Sequence, residues 1–438
     1  MKKLVVLGGG ESGVGAALLA KQNNYDVFVS DKGTISDKEV LTNNDIKWEE
    51  GIHSVDEIMT ASEVVKSPGI PDSIQLIKEI KSKGIPIISE VEFACRYTNA
   101  KIVAITGSNG KTTTTLLVGH ILDKAGYDVL VAGNIGIGFA KSIVERDYDY
   151  IVLELSSFQL DGISKFRADI AILLNITPDH LDRYDNNFEN YIESKLRITN
   201  NQTSEDILIF NYDDKNIRDK IATRAKKLPF SLDKELEEDG SYYKNKQINI
   251  NINNNKMTIQ ELALQGKHNV YNSMAAAVAS RVLEVKDFII RQSLLDFKNI
   301  EHRLEHVINV HGIEFINDSK ATNINSVWFA LESMHKDTVW IVGGVDKGND
   351  YTELLNLVKS KVKAIVCIGQ NTENIHSIFD GHVENIIDAS SMNEAVGFSY
   401  QLANKGDVVL LSPACASFDM FSNFEHRGLE FKKSVRSL

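Results

Sequence analysis

The amino-acid sequence predicts an α/β protein of three domains. A chain of 438 residues is longer than one hydrophobic core usually serves, so two or three domains are expected. In three successive segments, short apolar runs alternate with glycine-containing turns and helical stretches, which is the pattern of α/β domains. We place the domains at residues 1–96, 97–297 and 298–438.

The first domain is predicted to open with a strand, a glycine loop and a helix. The apolar run Leu4–Leu7 is the strand, and the helix lies near Val14–Gln22. Short apolar runs bounded by turn residues are typical of buried strands. Further strands of this kind are predicted at Asp26–Ser30, Glu63–Lys66 and Pro86–Ile88.

The loop after the first strand has the spacing of a dinucleotide-binding turn. Gly8, Gly10 and Gly13 follow the G-x-G-x-x-G pattern, and Asp31 ends the next strand 18 positions after Gly13. Such a loop can bind a nucleotide diphosphate, and it can also serve only as a turn. NAD(P) is a poor candidate, because a second loop downstream points to ATP and hydride transfer needs no ATP. A structural turn, NAD(P) and another nucleotide-linked ligand stay open at this point.

The second domain contains the most informative motif, Thr-Gly-Ser-Asn-Gly-Lys-Thr-Thr at residues 106–113. It follows the apolar strand Ile102–Ile105 and opens a helix. Backbone N–H groups converge at such a turn, and the helix dipole and the ammonium group of Lys111 add positive potential. The motif therefore predicts a phosphate cradle, with the Thr112 hydroxyl placed to bind Mg²⁺. The cradle residues are Gly107, Ser108, Asn109, Gly110, Lys111, Thr112 and Thr113.

Polar side chains follow two further strands predicted in this domain, at Ile151–Leu155 and Ile170–Asn175. Glu154 lies at the carboxyl end of the first, where a Mg²⁺ ligand is well placed; a helix cap or a surface charge is the competing interpretation. His180 lies in a run of Asn, Thr, Asp and His after the second strand, which favours a functional role over a structural hydrogen bond. By its sequence context, Lys195 is an ordinary solvated helix lysine.

The remaining segments carry weaker signals. Residues 231–260 are rich in Asn, Lys and Glu, and we expect a surface hairpin excursion outside the core. In the third domain, strands are predicted at Val339–Val342, Ala364–Ile368 and Val408–Leu411.

Composition excludes several classes of partner. The formal charge of −12 argues against a nucleic-acid surface, since that partner requires clustered Lys and Arg. Cys95, Cys367 and Cys415 are far apart and fit neither a metal-binding spacing nor a disulfide framework. No run approaches 18 apolar residues, so no membrane insertion is expected. We expect a reduced, cytoplasmic setting.

Several further motifs follow the phosphate loop in a fixed order. They are Gly133–Gly136, Glu154–Leu160, Thr177–Asp182, Gly266–Asn272, His302–Glu305, Asn317–Thr322, Leu411–Asp419 and Phe424–Gly428. Together with the loop they resemble the Mur ligases of peptidoglycan synthesis, over nearly the whole chain. The runs at 156–160, 411–419 and 424–428 are similar to those of the members that add D-glutamate. The resemblance implies a Rossmann-like N-terminal domain for a UDP-sugar, a P-loop-type central ATPase domain and a Rossmann-like C-terminal domain for an amino acid.

The resemblance also implies the activity. Mur ligases use ATP to convert a substrate carboxylate into an acyl phosphate, which an amino acid then attacks to form an amide. Applied to this chain, the substrates are UDP-N-acetylmuramoyl-L-alanine and D-glutamate, and the cofactors are ATP and two Mg²⁺ ions. A ligase for another amino acid, a nucleotide-binding module that does not ligate and an NAD-dependent oxidoreductase stay as alternatives.

The family pattern assigns a role to each matched residue. Lys111, His180, Lys195 and Lys320 are implied as catalytic. The cradle residues with Asn269, Asn272, Arg303 and Asp318 are implied for ATP, and Thr112, Glu154, His180 and a carbamylated Lys195 for Mg²⁺. The UDP-sugar is implied at Ser12, Gly13, Asp31, Ser67, Gly69, Asn134 and Ser156, and D-glutamate at His180, Thr322, Lys347, Ser417 and Phe424.

Three departures from the family pattern concern the sugar nucleotide and the C-terminal pocket. Ser12 stands where a Thr is usual and Lys32-Gly33-Thr34 where an Arg is usual, and Phe418 replaces a frequent Leu. Because the ATP and amino-acid residues lie in different domains, we expect domain closure to assemble the site, with ATP and the UDP-sugar binding before D-glutamate. We expect a monomer.

Overall fold

In the computed structural model, the described residues are 2–35, 37–264, 266–297, 301–346, 349–370 and 372–438. Their strands form three sheets, which confirms the predicted α/β class. The chain divides into two compact units, Met1–Leu262 with Asn269–Asp296, and Ala263–His268 with Phe297–Leu438. The first unit contains two of the sheets and the second contains one. Among the described residues, no helix is long and apolar enough to cross a membrane.

The first sheet is parallel and has the strand order β3-β2-β1-β4-β5. This order is that of a Rossmann fold, as predicted. Leu4, Val5, Val6 and Leu7 are fully buried, because helices cover both faces of a parallel sheet. The strands are β1 (Lys3–Leu7), β2 (Asp26–Asp31), β3 (Lys47–Glu50), β4 (Glu63–Lys66) and β5 (Ile87–Ile88). The helices are α1 (Glu11–Gln22), α2 (Lys38–Asn43), α3 (Val55–Ile58), α4 (Gln75–Ser82) and α5 (Glu90–Ala94).

The second sheet has the order β14-β13-β12-β11-β10-β9-β6-β8-β7. Its strands are β6 (Lys101–Thr106), β7 (Val129–Gly133), β8 (Tyr150–Glu154), β9 (Ile170–Leu173), β10 (Ile207–Asn211), β11 (Lys226–Ser231), β12 (Gly240–Lys244), β13 (Gln247–Ile252) and β14 (Asn255–Ile259). Its helices are α6 (Lys111–Lys124), α7 (Phe139–Glu145), α8 (Ser157–Leu160), α9 (Phe188–Leu196), α10 (Lys215–Arg218), α11 (Lys267–Val282) and α12 (Asp287–Asp296). The parallel strand β6 lies between β8 and β9, so the loop after β6 opens at the switch point where α/β proteins bind ligands.

The prediction for residues 231–260 was right about a hairpin and wrong in placing the segment outside the core. The segment forms β12, β13 and β14, which extend the second sheet as two antiparallel hairpins. Ile248, Ile250 and Ile252 are buried on one face, while the asparagines between them point the other way. The asparagines of β13 belong to a half-buried face, and the apolar alternation makes the segment part of the core.

The third sheet has the order β15-β16-β20-β17-β18-β19, with β15 antiparallel to β16 and the other strands parallel. Parallel sheets with one antiparallel edge are common in doubly wound folds. The strands are β15 (Glu305–Val310), β16 (Ile313–Asn317), β17 (Thr338–Val342), β18 (Val362–Ile368), β19 (Asn385–Ala389) and β20 (Val408–Leu411). The helices are α13 (Ile324–Ser333), α14 (Leu355–Lys361), α15 (Glu373–Phe379), α16 (Met392–Leu402) and α17 (Phe424–Arg436).

Candidate active site

The predicted phosphate loop joins β6 to the first turn of α6. Gly110 precedes the helix with a left-handed φ of +83°, and a Cβ there would lie 2.3 Å from Oδ1 of Asn272. Both facts require glycine at this position. The first N–H groups of a helix have no acceptor within the helix, so the start of α6 is suited to bind an anion.

Asn175, just after β9, holds the loop in shape. Its carbonyl oxygen accepts a hydrogen bond from the N–H of Ser108 at 2.8 Å. Its side chain accepts from the N–H of Asn109 at 2.8 Å and donates to the Asn109 carbonyl at 3.0 Å. The sequence placed Asn175 in a functional run without assigning it a role. The structure shows that it supports the loop from the neighbouring strand.

Two lysines meet on the carbonyl groups of the loop. Nζ of Lys111 donates to the carbonyls of Gly107 and Ser108, both at 2.8 Å. Nζ of Lys195 donates to the same Gly107 carbonyl at 2.9 Å and lies 4.7 Å from the centre of the Tyr191 ring. The loop thus positions the Nζ atoms of both lysines at one carbonyl group.

Lys195 is buried, contrary to the sequence-based default of a solvated lysine. Its side chain is 1% exposed, and the hydroxyl of the neighbouring Ser194 donates to the Ser157 carbonyl at 3.0 Å. Burial, and next the positive charge of Lys111, hold the pKa of Lys195 well below its ordinary value of 10.5. A lowered pKa favours the unprotonated, nucleophilic amine, which is the form that reacts with CO₂.

Glu154 ends β8 beside the loop, and one of its carboxylate oxygens has no hydrogen-bond partner among the described residues. Its side chain is 2% exposed, and Oε1 accepts a hydrogen bond from Nδ2 of Asn134 at 2.9 Å. Oε2 is the other oxygen, and it is buried. A buried carboxylate oxygen without a partner costs free energy unless a ligand satisfies it. Such an oxygen fits Mg²⁺, which prefers oxygen ligands, and Thr112, the other residue predicted for this ion, lies in the first turn of α6.

His180 lies in a strained turn near the same edge. Its φ of +52° is left-handed, and its ring lies 3.7 Å from Oδ2 of Asp179 and edge-on to the Phe158 ring. Non-glycine residues rarely adopt this backbone conformation, and such strain is frequent at functional sites. The side chain is 37% exposed, so the ring is accessible.

The other residues predicted in this domain have varied surroundings. Asn269 and Asn272 are buried on α11 and share a hydrogen bond of 3.3 Å. Thr113 is buried in α6. Ser156 caps α8 through a reciprocal pair of hydrogen bonds with Gln159, so its hydroxyl already has a structural partner.

The carboxyl edge of the first sheet brings together some of the residues predicted for the UDP-sugar. Asp31 accepts hydrogen bonds from the N–H groups of Gly9 at 2.5 Å and Gly33 at 2.7 Å, so its carboxylate braces the glycine loop. Ser67 packs against Gly8, where a Cβ would lie 2.6 Å from the Ser67 Cβ. Asp31 ends β2 and Ser67 follows β4, so residues that are far apart in the sequence meet at one end of the sheet.

Helix α1 starts three residues earlier than predicted, at Glu11. Ser12 and Gly13 therefore lie in its first turn rather than in the preceding loop. A Cβ on Gly13 would lie 1.9 Å from the Gly8 carbonyl oxygen, so glycine is required there. Gly69 is exposed in the turn after β4.

In the second compact unit, Asp318 follows β16 and is buried. Ser412 donates its hydroxyl to Oδ2 of Asp318 at 2.9 Å, and the N–H of Leu304 donates to Oδ1 at 3.2 Å. Burial raises the pKa of Asp318 to about 7, although the nearby Arg303 charge opposes this. Arg303 and Asp318, which were each predicted to bind the nucleotide, thus lie close enough for their charges to interact.

Lys320 and Phe424 also meet in this unit. Nζ of Lys320 lies 5.0 Å from the centre of the Phe424 ring, within the range of a cation–π contact. Ser417 is buried in the loop after β20, and Thr322 is partly buried just before α13. Lys347 lies outside the described residues.

Arg427 is a residue whose role the sequence did not identify. Its side chain is buried in the first turn of α17; it donates to the hydroxyl and carbonyl of Ser319 at 3.0 and 2.8 Å, and to the Cys415 carbonyl at 3.1 Å. Burial lowers the pKa of Arg427 to about 10. The guanidinium group thereby joins the loops after β16 and β20. The sequence signal that could have indicated a special role is the position of Arg427 in the first turn of a helix, where cations are disfavoured.

Three family models match the chain. Residues 3–74 match the MurD N-terminal domain, residues 105–280 the Mur ligase middle domain, and residues 302–415 the glutamate ligase domain of Mur ligases.

Curated relatives and solved structures give the same result. The UDP-N-acetylmuramoylalanine–D-glutamate ligase of Christiangramia forsetii is 54% identical, and the alignment covers 100% of both chains. The ligase of the same name from Bacteroides fragilis is 53% identical with equal coverage. A pseudomurein peptide ligase type C from Methanothermus fervidus superposes with a TM-score of 0.64 at 20% identity, covering 100% of both chains. The UDP-N-acetylmuramate-alanine ligase of Thermotoga maritima has a TM-score of 0.63 at 18% identity, covering 100% of this chain and 99% of its own. At these identities the two structures support the fold alone.

Proposed function

The chain belongs to the Mur ligase family, and we propose that it joins D-glutamate to UDP-N-acetylmuramoyl-L-alanine in peptidoglycan synthesis. Full-length relatives that are more than half identical carry the name of this ligase. The structural observation that carries the proposal is the group of Lys111, Lys195 and Glu154 around one phosphate loop. These groups suit a reaction in which a phosphoryl group is transferred in a site shielded from water.

The chemistry explains why the enzyme needs ATP. A carboxylate is a poor acyl donor, because its oxygen is a poor leaving group. Transfer of the γ-phosphoryl group of ATP to the L-alanine carboxylate forms an acyl phosphate. The D-glutamate amine then attacks the acyl carbon, and the tetrahedral intermediate expels phosphate to leave an amide.

The nucleotide-binding residues have distinct tasks in this scheme. The loop from Gly107 to Thr113 binds the phosphates through backbone N–H groups, and Lys111 compensates the charge on the transferring group. The ammonium group of Lys111 already lies at the loop, within reach of a phosphate bound there. The residues proposed for the rest of the nucleotide are Asn269, Asn272, Arg303 and Asp318.

Two Mg²⁺ positions fit the donor groups. Thr112 and Glu154 would hold one ion, which explains the buried Oε2 of Glu154. His180 and a carbamylated Lys195 would hold the second. When bound, the ions spread the negative charge of the transferring phosphoryl group.

The lowered pKa of Lys195 supports the carbamate. A protonated ammonium cannot bind a cation, whereas a carbamate supplies two anionic oxygens. The unprotonated amine attacks CO₂, forming an N–C bond and releasing one proton. Nζ already lies beside the Gly107 carbonyl of the phosphate loop, so the added oxygens would be delivered to the phosphate site.

The remaining proposed contacts concern the two substrates. Ser12, Gly13, Asp31, Ser67 and Gly69 are proposed for the UDP portion, and Asn134 and Ser156 for the region near the reacting carboxylate. His180, Thr322, Lys347, Ser417 and Phe424 are proposed for D-glutamate, with the Lys347 ammonium pairing with a substrate carboxylate. Lys320 is proposed to compensate charge near the phosphates.

Three further proposals concern the domain boundaries, the oligomeric state and the cellular location. The domains are divided at residues 96/97 and 297/298, so that each contains one sheet. The enzyme acts as a monomer, because the groups needed for the reaction belong to one chain. It acts in the cytoplasm, where ATP is available.

Phosphate release tests the proposed function. The purified chain is given ATP, Mg²⁺, UDP-N-acetylmuramoyl-L-alanine and one amino acid from a panel of D-glutamate, L-glutamate, L-alanine and D-aspartate. We expect turnover with D-glutamate and only background with the others. Turnover with L-glutamate or L-alanine but not D-glutamate would refute the assigned substrate and leave the family intact. Phosphate release at a rate that does not depend on the amino acid would indicate an ATPase that does not ligate.

A further inference from the structure

Three side chains with metal-binding atoms meet beside β18 in the second compact unit. Sγ of Cys367, a ring nitrogen of His376 and a carboxylate oxygen of Asp388 all lie within 4.8 Å of one another. Nε2 of His376 and Oδ1 of Asp388 are 3.0 Å apart. None of these residues belongs to the groups proposed above for the nucleotide, the sugar or the amino acid.

Backbone geometry brings the three together. Cys367 on β18 is the register partner of Asp388 on the parallel strand β19, so the two side chains point to the same face of the sheet. Helix α15 packs on that face, where its Ile375 and Phe379 share a core cluster with Cys367. His376 follows Ile375 on this helix. The cluster therefore rests on two paired strands and a packed helix rather than on a mobile loop.

The exposure of the three side chains describes a half-open site. Cys367 is fully buried, whereas the side chains of His376 and Asp388 are 37% and 58% exposed. The thiol lies at the buried end of the site, and the imidazole and the carboxylate lie on the solvent side. An ion bound between them would keep a coordination position for water or another small ligand.

The kinds of donor atom select the class of ion. One sulfur, one nitrogen and one oxygen suit Zn²⁺ and similar ions, whereas Mg²⁺ prefers oxygen ligands. A cysteine thiol is mostly protonated at neutral pH, so the ion must displace the thiol proton. Thiophilic ions do this and Mg²⁺ does not.

We propose that Cys367, His376 and Asp388 form a binding site for a divalent ion of the zinc class. On binding, a sulfur–metal bond forms, the S–H proton passes to solvent, and water completes the coordination. The separation between His376 and Asp388 is already close to that of two ligands on one tetrahedral ion. The ion cross-links β18, β19 and α15, independently of the Mg²⁺ positions in the first compact unit.

Cobalt titration tests the site. Co²⁺ replaces Zn²⁺ in such sites, and a thiolate ligand produces a sulfur-to-cobalt charge-transfer band in the near ultraviolet. The full-length, untagged protein is titrated in excess Mg²⁺, which occupies sites built from oxygen ligands. We expect the band to saturate at one equivalent and to disappear when Zn²⁺ is added.

Two cysteine variants identify the thiolate. Cys367→Ser should abolish the band, whereas Cys95→Ser, which removes a thiol elsewhere, should leave it unchanged. Circular dichroism of each variant verifies the fold. Absence of the band in the unmodified protein, or a band that survives Cys367→Ser, would overturn the proposal.

Asp388→Asn gives a second test that does not depend on the buried thiol. The side chain is mostly exposed, so the substitution should leave the fold intact. We expect the thiolate band to remain and the affinity for Co²⁺ to fall roughly tenfold or more. Unchanged affinity would exclude Asp388 as a ligand and with it the three-ligand site.

Discussion

Glu90 should make the stability of the first compact unit depend on pH. Its side chain is 4% exposed at the start of α5, and Oε1 accepts a hydrogen bond from the Ala140 N–H in α7 at 2.5 Å. Burial raises the pKa of Glu90 to about 7, the backbone N–H groups of α7 oppose this, and the Glu11 charge adds to it. Glu90→Gln removes the ionisation while keeping an oxygen acceptor for the Ala140 N–H.

The magnitude follows from the shift in pKa. The ordinary value is 4.5 and the folded value about 7, and each pH unit corresponds to about 1.4 kcal/mol, so the full effect is about 3 kcal/mol. Because the folded state binds the proton more tightly, the contribution of Glu90 to stability is greatest below pH 4.5. It declines as the pH rises from 4.5 to 7 and is lost above 7.

The comparison of Glu90→Gln with the unmodified protein isolates this contribution. Near pH 5 the two should unfold at similar urea concentrations, and near pH 8 the variant should be more stable by up to about 3 kcal/mol. Unfolding of a chain with two units is not one transition, so the readout must be local. Hydrogen exchange measured by mass spectrometry on peptides from α5 and α7, at a series of urea concentrations, provides it.

Glu11→Gln is the matched control. Glu11 also accepts a hydrogen bond from the start of α7, at the Gly138 N–H, and Gln can replace it there. Removing this like charge should lower the pKa of Glu90 and move the loss of stability to lower pH. If Glu90→Gln and the unmodified protein show parallel stability curves from pH 5 to 8, the reasoning about Glu90 is refuted.

Three further predictions concern the active site. Gly110→Ala should raise the KM for ATP at least about tenfold, because its Cβ would meet Asn272 and its φ is left-handed; an unchanged KM would contradict the tight packing of the loop. Lys195→Ala should lose phosphate release and recover part of it with bicarbonate and short-chain carboxylic acids, whereas full activity without rescue would exclude the carbamate. Glu154→Gln should raise the Mg²⁺ concentration needed for half-maximal activity by about tenfold or more, and identical Mg²⁺ titrations of variant and unmodified protein would remove Glu154 from the ion site.

Local patterns were sufficient where neighbouring residues set the structure. The strand, loop and helix start around residues 102–115 follow from an apolar run and the order of glycine, lysine and threonine in the motif. The strands β4 and β20 occupy the residues predicted for them, Glu63–Lys66 and Val408–Leu411. The error at residues 231–260 came from weighing composition above alternation, since Ile248, Ile250 and Ile252 already show the period of two that β-strands require.

Other properties depend on residues far apart in the sequence. Asn175 supports a loop more than 60 positions earlier, and Arg427 joins two loops that lie before it in the chain. Neither contact has a local signal beyond the type of residue. The spacing of the three cysteines in the sequence indicates no metal site. Strand pairing and helix packing nevertheless bring Cys367 together with His376 and Asp388.

The sequence alone determined the α/β class, the phosphate loop and the family, because each depends on residue types in a fixed local order. Only the tertiary structure decided the state of Lys195. In the sequence it is one lysine in an amphipathic helix, which water would normally solvate. Packing of α9 over the phosphate loop buries Lys195 against Gly107, which lies 88 positions earlier in the sequence. This burial beside Lys111 lowers the pKa of the Lys195 amine. Proton affinity follows from the surroundings of a group in space, and the fold, not the spacing of residues, creates those surroundings.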